Sequence, residues 1–480
     1  MHLPESMGEL SVDYICGDCV HESHLSHEIK QRSKIGLCSY CDTEEPVISI
    51  DELADRISAA FEEHYVRTPE YSDGSRHEEW YREGQPVIEA IMEAAEVSEE
   101  IAQKVQIILE NAFADRDSAE MGQETEFAEE SFYKAKKASD RALQEEWSQF
   151  EASLKTEARF FSRSAADHLA KVFGHIDLLK TFNGKPVVVN AGPGQEIADL
   201  YRARVFVSDP PLEEALCRPD LRLGPPPAKY AAAGRMNARG ISVFYGATEA
   251  KVAIAEVRPP VGSRVAVARF DIIRPISLLD LSALPSIHQP GSIFDPEYGR
   301  RLGRAFFLRS LTRRLVKPVM PGDEEFEYLS TQAIADFLGN ENDPLLDGII
   351  FPSVQASSGI NVVLFHKAAV VETIELPKGA KLTAYLETLS DEETEPDYLV
   401  TERVPTPKHT GEPDKWLNPF QNASVDRAGY KQYEATLRVD LDSVAVHHID
   451  SAQFGGPPPF PVSRRRHQLP AFGADDTADF

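Results

Sequence analysis

The sequence predicts an α+β protein of several units: a small cysteine knuckle, an acidic and mostly helical middle, and a second half that mixes short strands with helices. Three observations carry this expectation. Two Cys-x-x-Cys pairs open the chain, helical spacing of apolar residues dominates from about residue 49 to 173, and short apolar runs alternate with helical patterns beyond residue 198. At 480 residues, 42% of them hydrophobic and 27% charged, the chain is longer than one core usually holds. About three units are expected at roughly 150 residues each.

A formal charge of −28 repels phosphate backbones, and nucleic-acid affinity comes largely from Lys and Arg displacing counterions, so generic nucleic-acid binding is disfavoured. An anionic small molecule can still bind where a few arginines converge in one pocket. The first residues carry Glu5 and Glu9 where a signal peptide needs an apolar run. No apolar run approaches the roughly 20 residues that cross a bilayer. The expectation is a cytoplasmic protein without a membrane partner.

Cys16-Gly-Asp-Cys19 and Cys38-Ser-Tyr-Cys41 have the spacing of a four-thiolate zinc site, each pair supplying two ligands from a tight knuckle. Without a secretion signal, disulfides are the weaker reading. Four cysteine ligands imply one closed, structural Zn2+ with no open position for water. His21, His24 and His27 are expected on the helix that returns the chain between the pairs, and Cys217 to be ordinary packing.

Ser49-Ile-Asp-Glu52 has the form of a capping box, followed by Leu53, Ile57, Phe61 and Tyr65 at helical intervals. Residues 87–112 repeat the pattern, with Ile101, Val105, Ile108 and Leu109 on one face. A longer amphipathic pattern over about 124–173 includes Phe132, Leu143, Trp147, Phe150, Leu154 and Phe161. The Gly192-Pro-Gly194 turn lacks the third glycine of a nucleotide loop and reads as a turn between domains.

From about residue 198 to 369 the chain resembles the RES family, named for an arginine, a glutamate and a serine. The arginine matches Arg202 in Asp199-Leu-Tyr-Arg-Ala-Arg, with Arg204 as the alternative two residues on. Gly234-Arg235-Met-Asn237 and the strand-like run ending in Tyr245 follow, then Glu256 in Ala253-Ile-Ala-Glu, Ser353 after Gly348-Ile-Ile-Phe-Pro, and Gly359-Ile-Asn361. The resemblance implies an ADP-ribosyltransferase-like fold, with a split mixed sheet and an NAD+ cleft between its halves. It also implies an enzyme that cleaves the nicotinamide-ribose bond, with Glu256, Arg202 and Ser353 catalytic and Arg235, Tyr245, Asn237, Arg204 and Asn361 binding NAD+.

The residues argue in the same direction. Glu256 stands in an Ala/Val/Ile run near the C-terminal end of a helix stopped by Pro259 and Pro260, where the helix dipole disfavours a carboxylate. Losing neutral nicotinamide leaves positive charge on the ribose, which an aimed carboxylate stabilises. Arg202 and Arg235 offer planar forks for a pyrophosphate. Tyr245 offers a ring for nicotinamide and a hydroxyl for ribose. Ser353, at a strand end with no local His/Asp pair, reads as a hydrogen-bond donor to ribose or phosphate rather than a nucleophile.

The acidic middle resembles the HEPN-like region that precedes RES domains in longer family members, where a cysteine knuckle also comes first. Arg163 and His168 fit the loose Arg-to-His spacing of HEPN ribonucleases. The expected units are a knuckle at 1–45, a helical domain at 46–180, a linker at 181–197, the RES-like domain at 198–372, an extension at 373–454 and a tail at 455–480 expected to be disordered. Within the extension, 433–449 alternates as an edge strand would. The functional expectation is an NAD+ glycohydrolase or phosphorylase acting as a toxin or defence effector. An antitoxin, inhibitor or trigger would bind its N-terminal region, and a homo-oligomer is compatible with this reading. The alternatives are ADP-ribosyl transfer to a macromolecule, and a HEPN-type ribonuclease or binding module with a silent RES domain.

Overall fold

The computed structural model describes residues 12–72, 80–114, 124–315, 317, 319–320, 322–353, 355–356, 359–389, 394–405 and 433–451. The tail expected at 455–480 lies outside them. The chain is a mixed α/β protein whose large mixed sheet lies in the C-terminal region. Among the described residues, no helix is long and apolar enough to cross a membrane.

The N-terminal unit begins as three short strands, β1 (Tyr14–Cys16), β2 (Ile35–Leu37) and β3 (Glu44–Ser49), ordered β1-β3-β2. Helix α1 (Ser23–Lys30) connects the first two and carries His24 and His27. Helix α2 (Ile50–His64) starts where the capping box places it, with Ser49 Oγ accepting the Glu52 N–H at 3.2 Å. The pattern over 87–112 is two helices rather than one, α3 (Val87–Ala95) and α4 (Glu99–Ala112). Glu96, left-handed at φ 49°, breaks them. Leu53, Ile57, Phe61, Ile91, Ile101 and Val105 close a core with Ile15 and Leu25, and Phe294 reaches into it from far along the chain.

The amphipathic pattern over 124–173 is broken into several elements. It holds a strand, Phe132–Ala135, and two helices, α5 (Arg141–Thr156) and α6 (Arg163–Phe173). Phe161 falls between the helices and is 94% exposed, so it is no part of an apolar face. Trp147, Phe150, Leu154, Leu169, Val172 and Phe173 do not join the core of α2–α4. They pack with Phe307, Leu308 and Ile334 and with Leu279, Ile349 and Val363 on one face of the large sheet. The helical stretch expected as one unit over 46–180 is therefore shared between two cores.

The large sheet has eight strands: β4 (Val188–Ala191), β5 (Asp199–Phe206), β6 (Phe244–Ala247), β7 (Arg264–Ile272), β8 (Ile276–Asp280), β9 (Gly348–Pro352), β10 (Ile360–Leu364) and β11 (Leu437–His448). Their order is β4-β8-β9-β10-β6-β5-β7-β11, antiparallel throughout except for β8 beside β9. Within the stretch expected as a linker, β4 is hydrogen-bonded to β8, and the strand read from 433–449 is edge strand β11. The second face buries Leu200, Phe244, Phe270, Val362 and Leu364. Flanking helices are α7 (Ala250–Glu256), α8 (Tyr298–Leu315) and α9 (Leu329–Asn340).

One seam of this sheet is nearly open. Strands β5 and β6 share a single residue pair, Tyr201 with Ala247, whereas β5 pairs with β7 along its whole length. The sheet is split there, and the split is where the cavity lies.

Candidate functional site

A cavity of about 410 Å³ opens at the seam, lined by Tyr201, Arg202, Arg235, Tyr245, Gly246, Glu256, Glu324, Tyr328 and Asn361 among others. Of the site residues expected from sequence, Arg202, Arg235, Tyr245, Glu256 and Asn361 meet in its wall. Ser353 reaches it through Glu256, Asn237 stands behind the wall, and Arg204 lies outside it.

Glu256 is the last residue of α7, which packs along β5 and β7 through Val252 and Ala253. Two side chains converge on one of its oxygens: Ser353 Oγ donates to Oε1 at 2.5 Å, and Asn361 Nδ2 donates to the same atom at 2.7 Å. Ser353 follows β9 and Asn361 belongs to β10, so three elements fix one carboxylate. Oε2 has no hydrogen-bond partner among the described residues. The Ser353 hydroxyl also accepts the N–H groups of Gln355 and Ala356, each at 3.1 Å. Its hydrogen is thus spent on Glu256.

Arg202 lies on β5 with its guanidinium 4.9 Å from the Phe244 ring centroid. Its Nη1 is buried with no hydrogen-bond partner among the described residues. Burial, and then the Arg204 charge, disfavour its cationic form. A buried cation without an anion is costly, and an anionic ligand would relieve that cost. Arg204, half-buried, is likewise pushed down by burial and then by Arg222.

Arg235 is held differently. Its Nη1 and Nη2 donate to the carbonyls of Leu315 and Lys317 at 2.8 and 2.9 Å, and its guanidinium lies over Tyr328 at 4.9 Å. Tyr245 lines the cavity with its ring, but its hydroxyl is engaged by Asn237 Oδ1 at 3.1 Å and by the Met236 N–H at 3.0 Å. Burial pushes this phenol up to about 12, so it remains a donor. Buried Asn237 also ties its own loop, donating to the carbonyls of Ala232 and Ile241 at 2.9 and 3.0 Å. Gly234 is required by this packing, because a Cβ there would meet Asn237 Oδ1 at 2.6 Å and the Tyr245 hydroxyl at 2.9 Å.

Sequence reasoning missed Tyr328 and Glu324. Glu324 lies on a short acidic helix and Tyr328 caps α9, whose helical pattern begins at Tyr328, and only the fold brings them to the cavity.

At the other end of the protein, the four cysteine sulfurs lie within 4.8 Å of one another. Cys16 and Cys41 Sγ are 3.6 Å apart, and Cys19 and Cys38 Sγ 3.8 Å. Zinc-thiolate bonds of about 2.3 Å in a tetrahedron separate sulfurs by roughly 3.8 Å, so the cluster fits a metal ion. Burial pushes the Cys16 and Cys19 thiols up, as expected of a site that needs a cation to hold thiolates.

His168 is buried among Trp147, Phe150 and Phe307, with Nδ1 3.1 Å from Glu146 Oε2. Arg163 is exposed at the start of α6. His168 is thus buried while Arg163 is exposed.

Residues 214–386 match the family model described as RES domain, and residues 31–168 match HEPN/RES N-terminal domain 1. Glu256, Arg235, Asn237, Tyr245, Ser353 and Asn361 fall inside the first match, while Arg202 and Arg204 precede it. No curated protein and no solved structure matches the chain.

Proposed function

We propose, for a chain that carries a HEPN/RES N-terminal domain 1 ahead of a RES domain, that it cleaves NAD+ between nicotinamide and ribose with water or phosphate as acceptor. A RES domain implies an NAD+-related enzyme, and the pairing with this N-terminal domain suggests an effector of the toxin-antitoxin kind. The observation that carries the finer reading is the fixed carboxylate of Glu256 in the cavity wall, with two donors on Oε1 and, among the described residues, none on Oε2.

In the reaction, the C1′–N bond breaks and its electron pair leaves with nicotinamide. The ribose is left as an oxocarbenium, and the acceptor oxygen bonds to C1′, a water acceptor giving up one proton to solvent. Glu256 supplies the counter-charge where positive charge develops, from an oxygen that needs no reorientation. Arg202, whose Nη1 has no hydrogen-bond partner among the described residues, supports the pyrophosphate, and Tyr328 and Tyr245 offer ring faces to the flat groups of the substrate. The four cysteines would hold a structural Zn2+ that shapes the N-terminal region, where an antitoxin or inhibitor would dock. A cytoplasmic location would give the enzyme access to this substrate. Burial of His168 speaks against the ribonuclease alternative.

The test is nicotinamide release from NAD+ by the full chain, with and without phosphate, beside Glu256→Gln. Release that the variant lacks supports the proposal, and equal release from both would overturn it.

A further inference from the structure

Arg235 owes its position to helix α8. The carbonyls that accept from its two terminal nitrogens, those of Leu315 and Lys317, are the last of α8 and the second residue beyond it. The 18 residues of α8 span about 27 Å at roughly 1.5 Å per residue. The helix begins far from the cavity. Phe294, just ahead of it, is buried in the core of α2–α4, and the Tyr298 ring lies 6.0 Å from that of His64 at the end of α2.

Along its length α8 is fastened to the N-terminal helices by polar contacts, not by apolar packing alone. Arg304 Nε donates to the Val172 carbonyl at 2.9 Å, and its Nη2 to that of Gly174 at 2.6 Å, capping the end of α6. Gln144 of α5 donates to Ser310 Oγ at 3.0 Å and accepts from Arg314. A helix is stiff over such a length, so a shift of α5 or α6 against the sheet moves the Leu315 and Lys317 carbonyls and Arg235 with them.

We propose that α8 is a rigid link that sets Arg235 in the cavity from the N-terminal helices, with Arg304 and Gln144 as positioning residues for NAD+ binding. The inference rests on the NAD+ reading above and adds to it the route by which occupancy of the N-terminal region reaches the site. Charge-assisted contacts of this kind are directional, and losing one lets a helix end relax without unfolding it.

The experiment is a double-mutant cycle in the full chain, read as KM and kcat of nicotinamide release together with thermal unfolding. Arg235→Ala should raise KM about tenfold. Arg304→Ala should raise KM several-fold with kcat little changed, Arg304→Lys should recover part of that, and the double variant should be no worse than Arg235→Ala. Effects on KM that multiply in the double variant would overturn the link, as would an Arg304→Ala protein of lowered thermal stability and unchanged KM. If Arg304→Ala does not fold, Gln144→Leu takes its place and is read in the same way. Absence of nicotinamide release by the unaltered chain would instead bring down the NAD+ reading, and the link with it.

Discussion

Ser353 gives its hydroxyl hydrogen to Oε1 of Glu256 across 97 positions of sequence, at 2.5 Å. The serine therefore orients the carboxylate. Glu256→Gln should lower nicotinamide release by on the order of 10²–10³, the usual effect of losing a charge aimed at the transition state. Ser353→Ala should lower kcat by only about tenfold, since Asn361 still holds the same oxygen. If Ser353 were instead a nucleophile, the two variants would be equally inactive.

Arg202 should show function opposed to stability. Its buried Nη1, unpartnered among the described residues, makes the cation a burden to the fold until an anion arrives. Arg202→Met is expected to raise the melting temperature of the free protein while raising KM about tenfold or more. Thermal unfolding with and without NAD+ checks both halves, and a variant that melts lower and binds NAD+ normally would contradict them.

His168 ties stability to pH. Burial holds its imidazole below the ordinary 6.5, with Glu146 opposing only in part. The folded state keeps it neutral and the unfolded state takes up a proton near pH 6.5, so its contribution is present above that pH and is lost as pH falls below it. His64 and His366 are depressed by burial in the same direction. His168→Phe should therefore lessen, without abolishing, the loss of stability between pH 7 and pH 5, and should leave nicotinamide release at neutral pH intact. Denaturant melts across that range provide the measurement.

The cysteine cluster should bind one zinc ion per chain, measurable by elemental analysis of the purified protein. Cys16 and Cys38 are buried against Val47, while Cys19 and Tyr40 pack onto the core of α2–α4. Cys16→Ser or a strong chelator should remove the metal and loosen the N-terminal strands, as a separate low-temperature transition. Full zinc content in Cys16→Ser would exclude this site.

Local chemistry was readable in the sequence where a few neighbouring residues decide the outcome. Ser49 and Glu52 announce α2, and the cysteine spacing announces the cluster, because both depend on contacts across short stretches of chain. The site residues could be picked out by their company in sequence, but their partners could not. Nothing near Ser353 says that its donor goes to Glu256, nor does anything near Arg235 point to the end of α8. The core membership of α5 and α6 was equally hidden. Periodicity marks an apolar face without naming what covers it, and here the cover is Phe307 and the sheet.

The order of strands has a consequence for synthesis. Strand β4 and Arg202 on β5 come before the stretch that matches the RES family, and β11 comes after it, yet the strands close one sheet. A chain still emerging from the ribosome can already carry Arg202, Glu256, Ser353 and Asn361 while Arg264–Ile272 has no outer neighbour. The sheet is complete only once Leu437–His448 has been made, so a cell building this protein does not hold the finished scaffold of the cavity until synthesis has passed residue 448.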